Sequence, residues 1–344
     1  MRAVLFALCL GLAPLVGLGL MPASALVLDF ESLPGWDKDD HLAALQSFQR
    51  TCDLMDQPDW QPICGVAATV EAKEPAARAF FELLFRPVLI GAPPALFTGY
   101  YEPVLQGSAV RTARFAWPIY RRPPELRDGV TWYDRATIER GILNGRGLEI
   151  AWLDDPVEVF FLHIQGSGRI KMTDGSVIRV GYAGRNGFAY RSIGSVLVQR
   201  GFMSQDQLSA ATIRAWVRAN PGVGASVLNQ NPSYIFFRKL PNLAADQGPI
   251  GAMGRSITPL RSVAVDPAHV PLGTPVWIEK EGSDPMHQLM VAQDTGGAIK
   301  GAQRADIFYG TGHSAGLAAG SIKDSGRLIM LLPIDRAFAM LPNG

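Results

Sequence analysis

Hydrophobic residues in the first third of the chain follow two different patterns. Residues 40–55 and 75–86 carry the mixture of apolar and polar positions that is typical of packed helices. Asp39 or Asp40 is expected to cap the first of these helices. Residues 96–103 instead form an aromatic, β-favouring run that ends in a proline. The pattern therefore predicts two helices followed by a strand.

The middle of the chain mixes both patterns. Three prolines within residues 118–124 predict an extended entry to a helix that is capped by Asp134 and ends near residue 145. The apolar run 157–165 is predicted as a strand that leads into a hairpin over 169–182. Two further helices are predicted, over residues 190–200 and 205–219.

From about residue 248 onward, short apolar runs are separated by glycine and proline turns. Five strands are predicted there, over residues 262–266, 275–280, 288–293, 305–309 and 327–332. Short strands at this spacing predict a small barrel. The chain shows no tandem repeat and no low-complexity tract.

The N-terminus predicts export. Arg2 precedes an apolar run over 3–20, and small residues ending at Ala25 form a cleavage site for a signal peptide. A retained membrane anchor is the alternative, although Pro14 interrupts the run. Cys9 lies too early in the run to be a lipid-attachment cysteine, so no lipid anchor is expected.

Cleavage after residue 25 would leave two cysteines, Cys52 and Cys64. In an exported chain these are expected to form a disulfide, and closing so short a loop would stabilise the fold by roughly 3 kcal/mol. A metal or redox pair is disfavoured because no CxxC spacing is present.

Length and charge restrict the remaining function classes. A mature chain of about 320 residues suggests two domains. The formal net charge of +1 gives no information about partners, and the sequence has no basic run interleaved with aromatic residues that would suggest nucleic-acid binding. The 5 histidines show no paired spacing, so we predict no metal site and no cofactor: His41, His163, His269, His287 and His313.

Three aspartates recur at or near the ends of the C-terminal strands. Asp266 and Asp294 could be turn or capping residues, because a proline or glycines follow them. Asp306 has no such surroundings, since Ile307 and Phe308 follow it directly. An apolar environment raises the pKa of a carboxyl group and keeps a proton available near neutral pH. Asp306 is therefore the candidate general acid.

These motifs resemble the membrane-bound lytic murein transglycosylase A family. The resemblance rests on residues 97–103, on 163–168 and on the three-aspartate module from 265 to 306, and it extends over nearly all of the mature chain. It implies a mainly β fold with peripheral helices, in which a discontinuous double-psi β-barrel carries an inserted β-rich domain and a groove lies between the two. The implied boundaries are a signal peptide over 1–25, a barrel over 26–104 and 245–344 with its three-aspartate module over about 262–334, and an insert over 105–244.

The resemblance also implies an activity. The family acts as a peptidoglycan lytic exotransglycosylase, cleaving the β-1,4 bond between N-acetylmuramic acid and N-acetylglucosamine to leave a 1,6-anhydromuramoyl end. The family's essential aspartate matches Asp306, while Asp266 and Asp294 match its other two aspartates and are assigned supporting roles. The sequence itself leaves exo or endo action open.

Six further side chains in or beside the matching motifs are candidate substrate contacts. Aromatic faces can stack on sugar rings, and polar tips can bind hydroxyl and acetamido groups. The candidates are Thr98, Tyr100, Tyr101, Gln165, Ser167 and Lys300. For each tyrosine, core packing is an equal alternative.

Two other functions remain open at the level of sequence. One is a non-catalytic protein that binds wall polysaccharide, and the other is a hydrolase in which Asp294 or Asp266 activates water. In every case the expected partners are peptidoglycan strands, with proteins of cell-wall synthesis or division as further candidates. The expected location is the periplasm, with or without association with the outer membrane.

Overall fold

The computed structural model of the chain describes residues 25–340, so the predicted signal peptide, apart from its last residue, and Cys9 lie outside the described residues. The strands in this range are β1 Ala25–Val27, β2 Phe85–Ile90, β3 Leu96–Glu102, β4 Val104–Ser108, β5 Trp117–Tyr120, β6 Glu149–Leu153, β7 Ser167–Met172, β8 Val177–Arg185, β9 Ile235–Lys239, β10 Ser262–Val265, β11 Pro275–Lys280, β12 Met286–Thr295, β13 Arg304–Thr311, β14 Lys323–Asp324 and β15 Gly326–Pro333.

The α-helices in the same range are α1 His41–Cys52, α2 Trp60–Ala67, α3 Glu74–Leu84, α4 Arg135–Thr137, α5 Pro156–Gln165, α6 Ile193–Gln199, α7 Ala210–Ala219, α8 Pro221–Leu228, α9 His313–Gly320 and α10 Ile334–Ala339. Shorter turns of 3-10 helix cover Phe30–Ser32, Trp36–Lys38 and Gln205–Gln207, and a π-helical turn, Ile138–Ile142, continues α4. The architecture is mixed α/β with two sheets.

The first sheet joins both ends of the chain. Its strand order is β1-β2-β15-β11-β12-β10-β13-β3-β14. Most neighbours are antiparallel, but β10 pairs with β12 in parallel and β13 pairs with β3 in parallel. The C-terminal strands predicted from the sequence are confirmed, and the aromatic run at 96–103 is inserted among them as β3.

One row of the first sheet fixes the relative positions of the acidic side chains. Ala264 of β10 pairs with Asp294 on one side and with Asp306 on the other, and Asp306 pairs with Thr98. Paired residues point to the same face of a sheet. The pairing of β10 with β12 has a register shift between Val263 and Ala264, yet Asp294 and Asp306 both line the same cleft. Their backbones are about 10 Å apart across the intervening strand. Ala264, between them, is buried in a small apolar cluster that includes Tyr100 and Phe308.

Helices α1 to α3 cover the first sheet with an aromatic core. Phe48, Phe81 and Phe85 are fully buried, with ring centroids 5.9 to 6.4 Å apart. A disulfide joins Cys52, at the end of α1, to Cys64 of α2, with a Cα separation of 5.5 Å. Helix α1 of this core packs against β12, the strand that carries Asp294.

The second sheet has the strand order β5-β6-β4-β7-β8-β9. All of its strands lie between residues 104 and 239, so the second sheet interrupts the strands of the first. The predicted hairpin over 169–182 is confirmed as β7 and β8. The second sheet has its own core, which includes Ile119, Leu162, Ile170 and Val180.

A buried ionic cluster connects the two chain segments that cross between the sheets. Glu102, 1% exposed at the end of β3, accepts hydrogen bonds at 2.8 Å from Arg169 Nε and from Arg179 Nη2. Arg179 also donates to the carbonyl oxygens of Ala244 and Gln247, on the segment that returns to the first sheet. A buried charge of this kind is costly unless it is paired, so the cluster fixes both crossing segments together.

The strand predicted over 157–165 is wrong, because this segment forms helix α5. Asp155 caps the helix by accepting from the Val157 N–H, Pro156 occupies the first turn, and Gly166 ends it at φ 80°. The helix is buried on most sides, so its apolar residues show no helical period. A short apolar run of this kind cannot be assigned by periodicity alone, and the flanking proline and glycine carry the information.

Other helices differ in their bounds. The predicted helix 75–86 ends at Leu84, because the next residues pair as β2 with β15 of the first sheet. The predicted helix 205–219 is divided into a 3-10 turn and α7, since Ser209 and Thr212 form a second capping box. Among the described residues, none of the helices combines the length and hydrophobicity that crossing a bilayer requires.

Candidate active site

A cleft of about 780 Å³ lies between the two sheets. The first sheet contributes Asp294 and Asp306, together with the loop 295–300. The opposite side comes from residues of the second sheet and its helices, which include Gln165, Ser167 and Tyr182. We refer to these two sides as the first-sheet wall and the second-sheet wall.

Asp306 is half-buried in the first-sheet wall. Its Oδ1 accepts a hydrogen bond of 2.5 Å from the hydroxyl of Thr98, its partner in the row. Oδ2 has no hydrogen-bond partner within residues 25–340. Burial raises the pKa of Asp306, while the Thr98 hydrogen bond and the positive charge of Arg304 oppose the rise. Asp306 can therefore hold a proton at higher pH than an exposed aspartate.

Asp294 differs from Asp306 because both of its oxygens are occupied. Tyr100 donates to Oδ2 at 2.8 Å, and the N–H groups of Ala252 and Thr295 donate to Oδ1 at 3.0 and 2.9 Å. Burial raises the pKa of Asp294 to about 6; the hydrogen bonds oppose this shift, and the charge of Asp306 adds to it. Asp294 is thus held in place by donors on three segments.

Asp266 lies behind the cleft and is not among the residues that line it. Its Oδ2 accepts from the Gly301 N–H at 2.9 Å, and Lys300 Nζ lies 3.4 Å from Oδ1. The Gly301 hydrogen bond lowers the pKa of Asp266. Gly301 has a φ of 106°, a conformation that favours glycine. Asp266 therefore anchors the loop that carries Lys300.

The six predicted contact residues fall into three groups. Gln165, Ser167 and Lys300 line the cleft. Thr98 and Tyr100 lie behind the carboxyl groups and contact the aspartates. Tyr101 is placed away from the cleft, where its ring packs against α9 at Gly316 and its backbone N–H donates to Gln165 Oε1 at 3.0 Å. Adjacent residues of a strand point to opposite faces, which explains why the two tyrosines separate.

A buried pair in the second-sheet wall was not predicted. Arg135 is 1% exposed, and its Nη1 lies 3.0 Å from Nδ1 of His163. A guanidinium can only donate, so Nδ1 is the acceptor and Nε2 carries the proton. Burial, followed by the charge of Arg135, lowers the pKa of His163 well below its usual value. The neutral ring leaves Nε2 buried without a protein partner within the described range.

One feature of the sequence points to this Arg135–His163 pair. His163 interrupts the apolar run of α5, and a polar residue in a buried run must find a partner. Arg135 follows a helix cap and looks like an exposed residue. Gln293 was also missed: it is buried next to Asp294, and its Nε2 donates to Ser47 O of α1 at 2.7 Å. This contact anchors the end of β12 to the helix behind it.

The donor set of the cleft does not resemble a metal site. In the part of the chain that the structure describes, no group of three or more His, Cys, Asp or Glu side chains is arranged to hold a metal ion. The cleft instead contains basic side chains on both walls: Arg135, Arg185 and Arg238 on the second-sheet wall, and Lys300 on the first-sheet wall. Such a cleft can bind a polar ligand and exchange a proton with it.

Two protein-family models match the chain. The model described as MltA specific insert domain matches residues 96–238, which include all but the last residue of the second sheet, and the model described as 3D domain matches residues 261–332. The second match contains all three aspartates of the module. The 3D domain match contains Asp294 and Asp306 of the first-sheet wall, and the insert-domain match contains Gln165, Ser167 and Tyr182 of the second-sheet wall.

Relatives with known names match across both regions. The membrane-bound lytic murein transglycosylase A of Vibrio cholerae is 36% identical over 244 residues, which cover 68% of this chain and 64% of the relative. The chain thus spans just under two thirds of the length of that curated relative. The membrane-bound lytic murein transglycosylase of Agrobacterium tumefaciens is 32% identical, with a TM-score of 0.85 over 92% of this chain and 100% of that one.

A third relative carries a ligand. The crystal structure of Escherichia coli MltA with bound chitohexaose is 30% identical, with a TM-score of 0.72 over 91% of this chain and 93% of that one. Identity at this level over nearly complete chains, with the same fold, goes beyond a shared architecture. The chain belongs to the membrane-bound lytic murein transglycosylase A family.

Proposed function

We propose that this protein is a lytic transglycosylase that cleaves the β-1,4 bond between N-acetylmuramic acid and N-acetylglucosamine in peptidoglycan. Asp306 is its single acid and base, and the product ends in 1,6-anhydromuramic acid. The observation that carries the proposal is the free Oδ2 of Asp306. Of the three module aspartates, only Asp306 combines a place in the cleft lining with an oxygen that forms no hydrogen bond to a described residue.

The surroundings of the other aspartates disfavour a two-carboxylate hydrolase. A hydrolase needs a second carboxylate that is free to attack the sugar or to activate water. Both oxygens of Asp294 already accept hydrogen bonds, and Asp266 lies outside the lining. One exchangeable carboxyl group suits a reaction that consumes no water.

The reaction needs two proton transfers through Asp306. In the first, Oδ2 gives its proton to the glycosidic oxygen as the bond from that oxygen to the anomeric carbon breaks. The resulting carboxylate then takes the proton of the sugar's 6-hydroxyl as O6 bonds to the anomeric carbon. The raised pKa of Asp306 supports the first transfer, because the acid must be protonated when the substrate binds. The 6-hydroxyl competes with water because an oriented intramolecular group acts at an effective concentration of roughly 10⁵ M or more.

The shape of the cleft supports a glycan as ligand. Its lining joins polar tips, such as Gln165 and Ser167, to the aromatic ring of Tyr190. Peptidoglycan strands and chitohexaose share N-acetylated sugars in β-1,4 linkage, and the Escherichia coli relative binds chitohexaose. We assign the same class of ligand to this cleft, and we assign action from chain ends on the family resemblance.

The remaining sequence predictions complete the proposal. The barrel is formed by 26–104 and 245–344 as a double-psi β-barrel, with 105–244 inserted; the two parallel pairings in the first sheet support this division. Export with cleavage near Ala25 would locate the enzyme in the periplasm. Its partners are peptidoglycan strands and, as further candidates, proteins of cell-wall synthesis or division.

Digestion of purified peptidoglycan tests the activity. Wild-type protein is expected to release muropeptides that are one water lighter than the products of a hydrolase. Asp306→Asn should release none, with activity lower by roughly 10²- to 10⁴-fold or more. The products are weighed by mass spectrometry, and circular dichroism checks that the variant is folded.

Each alternative gives a different result in the same assay. Products with a reducing end would overturn the transglycosylase and favour the two-carboxylate hydrolase. Binding of both proteins to peptidoglycan, without soluble products from either, would favour a non-catalytic wall-binding protein.

A further inference from the structure

Arg304 contacts the residue that contacts Asp306. It precedes Asp306 by two positions on β13, so both side chains leave the same face of the strand. Arg304 Nη2 donates to Thr98 Oγ1 at 2.8 Å, and Thr98 Oγ1 lies 2.5 Å from Asp306 Oδ1. Arg304 Nη1 donates to the carbonyl oxygen of Leu96 at 3.2 Å, which holds the guanidinium against β3. Among the described residues, no guanidinium nitrogen of Arg304 lies within 4 Å of a carboxylate oxygen of Asp306, so the two side chains form no direct ion pair.

The chemistry of the two groups fixes the direction of the hydrogen bonds. A guanidinium has donors only, so Thr98 Oγ1 must accept from Arg304. The hydroxyl has one hydrogen, and Asp306 Oδ1 is the acceptor that it reaches among the described residues. Accepting from a cation also makes a hydroxyl a better donor. Oδ1 is thereby engaged as an acceptor, which leaves Oδ2 as the oxygen that can carry a proton.

We propose that Arg304 is a positioning residue that acts through Thr98 to confine the exchangeable proton of Asp306 to Oδ2, the oxygen available to the glycan. The inference rests on the proposed function, because it concerns the proton that the reaction transfers. It adds to that function a reason why the acid is always presented with the same oxygen. Confinement matters because a carboxyl group protonated on Oδ1 would have to rotate or exchange its proton before reacting.

Other charged groups around Asp306 do not supply the same control. Asp294 of β12 and the tyrosines Tyr100 of β3 and Tyr309 of β13 are close enough for the charge of Asp306 to raise their pKa values. These groups are negative or neutral. Lys323 of β14 pairs with Thr98 in the sheet but is exposed. Arg304 is thus the cation that the Thr98 hydroxyl connects to Asp306.

Rates measured across pH on soluble glycan strands test the proposal. Arg304→Met removes the cation and the fixed direction of the Thr98 hydroxyl, so the pKa of Asp306 should rise. Since Asp306 must be protonated in the free enzyme, the alkaline limb of kcat/KM should move to higher pH by about one unit. Loss of confinement should lower kcat by about tenfold.

Conservative variants separate positioning from support of the fold. Thr98→Val should move the alkaline limb in the same direction, whereas Thr98→Ser keeps the hydroxyl and should stay within about twofold of wild type. Arg304→Lys retains the charge, so its limb should move less than that of Arg304→Met. In the Thr98→Val background, Arg304→Met should change kcat by less than about twofold more, because residues that act as a unit are not additive. Arg114→Met, an exposed arginine of the second-sheet region, is the matched control and should match wild type.

The outcomes distinguish this inference from the activity on which it rests. If wild-type protein forms no anhydro product, both fail. If it forms that product but the alkaline limb stays in place in Arg304→Met and Thr98→Val, only the inference fails, and a fall in melting temperature would then identify a purely structural contact. If the losses of kcat in Arg304→Met and Thr98→Val simply add in the double variant, the two residues act independently. The proposal that Arg304 acts through Thr98 would then be wrong.

Discussion

The first-sheet wall carries its key side chains in one hydrogen-bonded row, whereas the second-sheet wall carries them at the ends of helices, strands and turns. Asp294, Asp306 and Thr98 are fixed by backbone pairing across β12, β10, β13 and β3. Gln165 and Ser167 instead flank the glycine that ends α5. Side chains on paired strands are held in more precise relative positions than side chains at turns and element ends.

This contrast suggests a division of labour. Proton transfer needs reacting atoms at about 3 Å in fixed directions, and the first-sheet wall supplies that geometry. Binding a long polymer needs many weaker contacts that tolerate small shifts, and the second-sheet wall supplies polar and aromatic groups of that kind. Changes in the first wall should therefore lower kcat, and changes in the second should raise KM.

The largest effect in this comparison is expected for Asp294→Asn. The pKa of Asp294 is raised to about 6, so the group is protonated below that pH and negative above it. A carboxylate in the row can stabilise positive charge that develops at the anomeric carbon, so kcat should rise with pH through about 6. The variant should lower kcat by roughly 10- to 100-fold and lose this acid limb. Rates between pH 4 and 8 on glycan strands measure both effects.

The control for this prediction is Asp174→Asn, in the turn between β7 and β8, where the carboxylate bonds only its own turn. It should retain the wild-type pH profile. An acid limb that persists in Asp294→Asn would assign that limb to another group, and Asp294 would then be a structural residue of the row.

Gln165→Ala tests the second-sheet wall. Gln165 Oε1 accepts from the Tyr101 N–H, which leaves the amide nitrogen as the group that would donate to the proposed glycan ligand. Losing one hydrogen bond costs about 1 kcal/mol, so KM should rise about fivefold while kcat stays within twofold. Initial rates at several substrate concentrations separate the two constants.

Gln165→Glu sharpens the result. Glutamate keeps the acceptor for Tyr101 but has no amide donor, so a similar rise in KM would assign the effect to the donor and not to the fold. Gln199→Ala, at the exposed end of α6, is the matched control. A fall in kcat with unchanged KM in Gln165→Ala would contradict the assignment of reaction to the first-sheet wall and of binding to the second-sheet wall.

The walls also differ in how much the sequence predicts. The strands that carry Asp294 and Asp306 follow from short apolar runs, and the family resemblance singles out Asp306. Their neighbour Thr98 is 208 residues away from Asp306 in the chain, and strand pairing over that distance leaves no local pattern. Asp306 could be chosen from the sequence, but the hydroxyl that orients it could not be paired with it.

The second-sheet wall was less predictable for a different reason. Helix α5 places His163 and Gln165, yet its apolar run has no helical period because most of its sides are buried. The partner of His163 is an arginine that follows a helix cap, and nothing in the sequence marks that arginine as buried. Contacts made inside a second core depend on packing between distant segments, which local patterns do not encode.

The smallest effect is expected for Lys300→Met. Lys300 lies on the first-sheet wall, but we expect it to contribute to binding, as the second-sheet wall does. Its side chain is 67% exposed and its pair with Asp266 is 3.4 Å long. Exposed ion pairs contribute little, and the Gly301 N–H continues to hold Asp266 when the lysine is removed. KM should therefore rise only about threefold at low salt and approach the wild-type value at 0.5 M salt, because screening removes what remains of the charge effect. Lys300→Arg keeps the charge and should match wild type under both conditions. A fall in kcat of tenfold or more would instead assign Lys300 to proton transfer, together with the row of Asp306. The part of the site that carries out the reaction would then include the loop 295–300 as well as the strands of the first sheet.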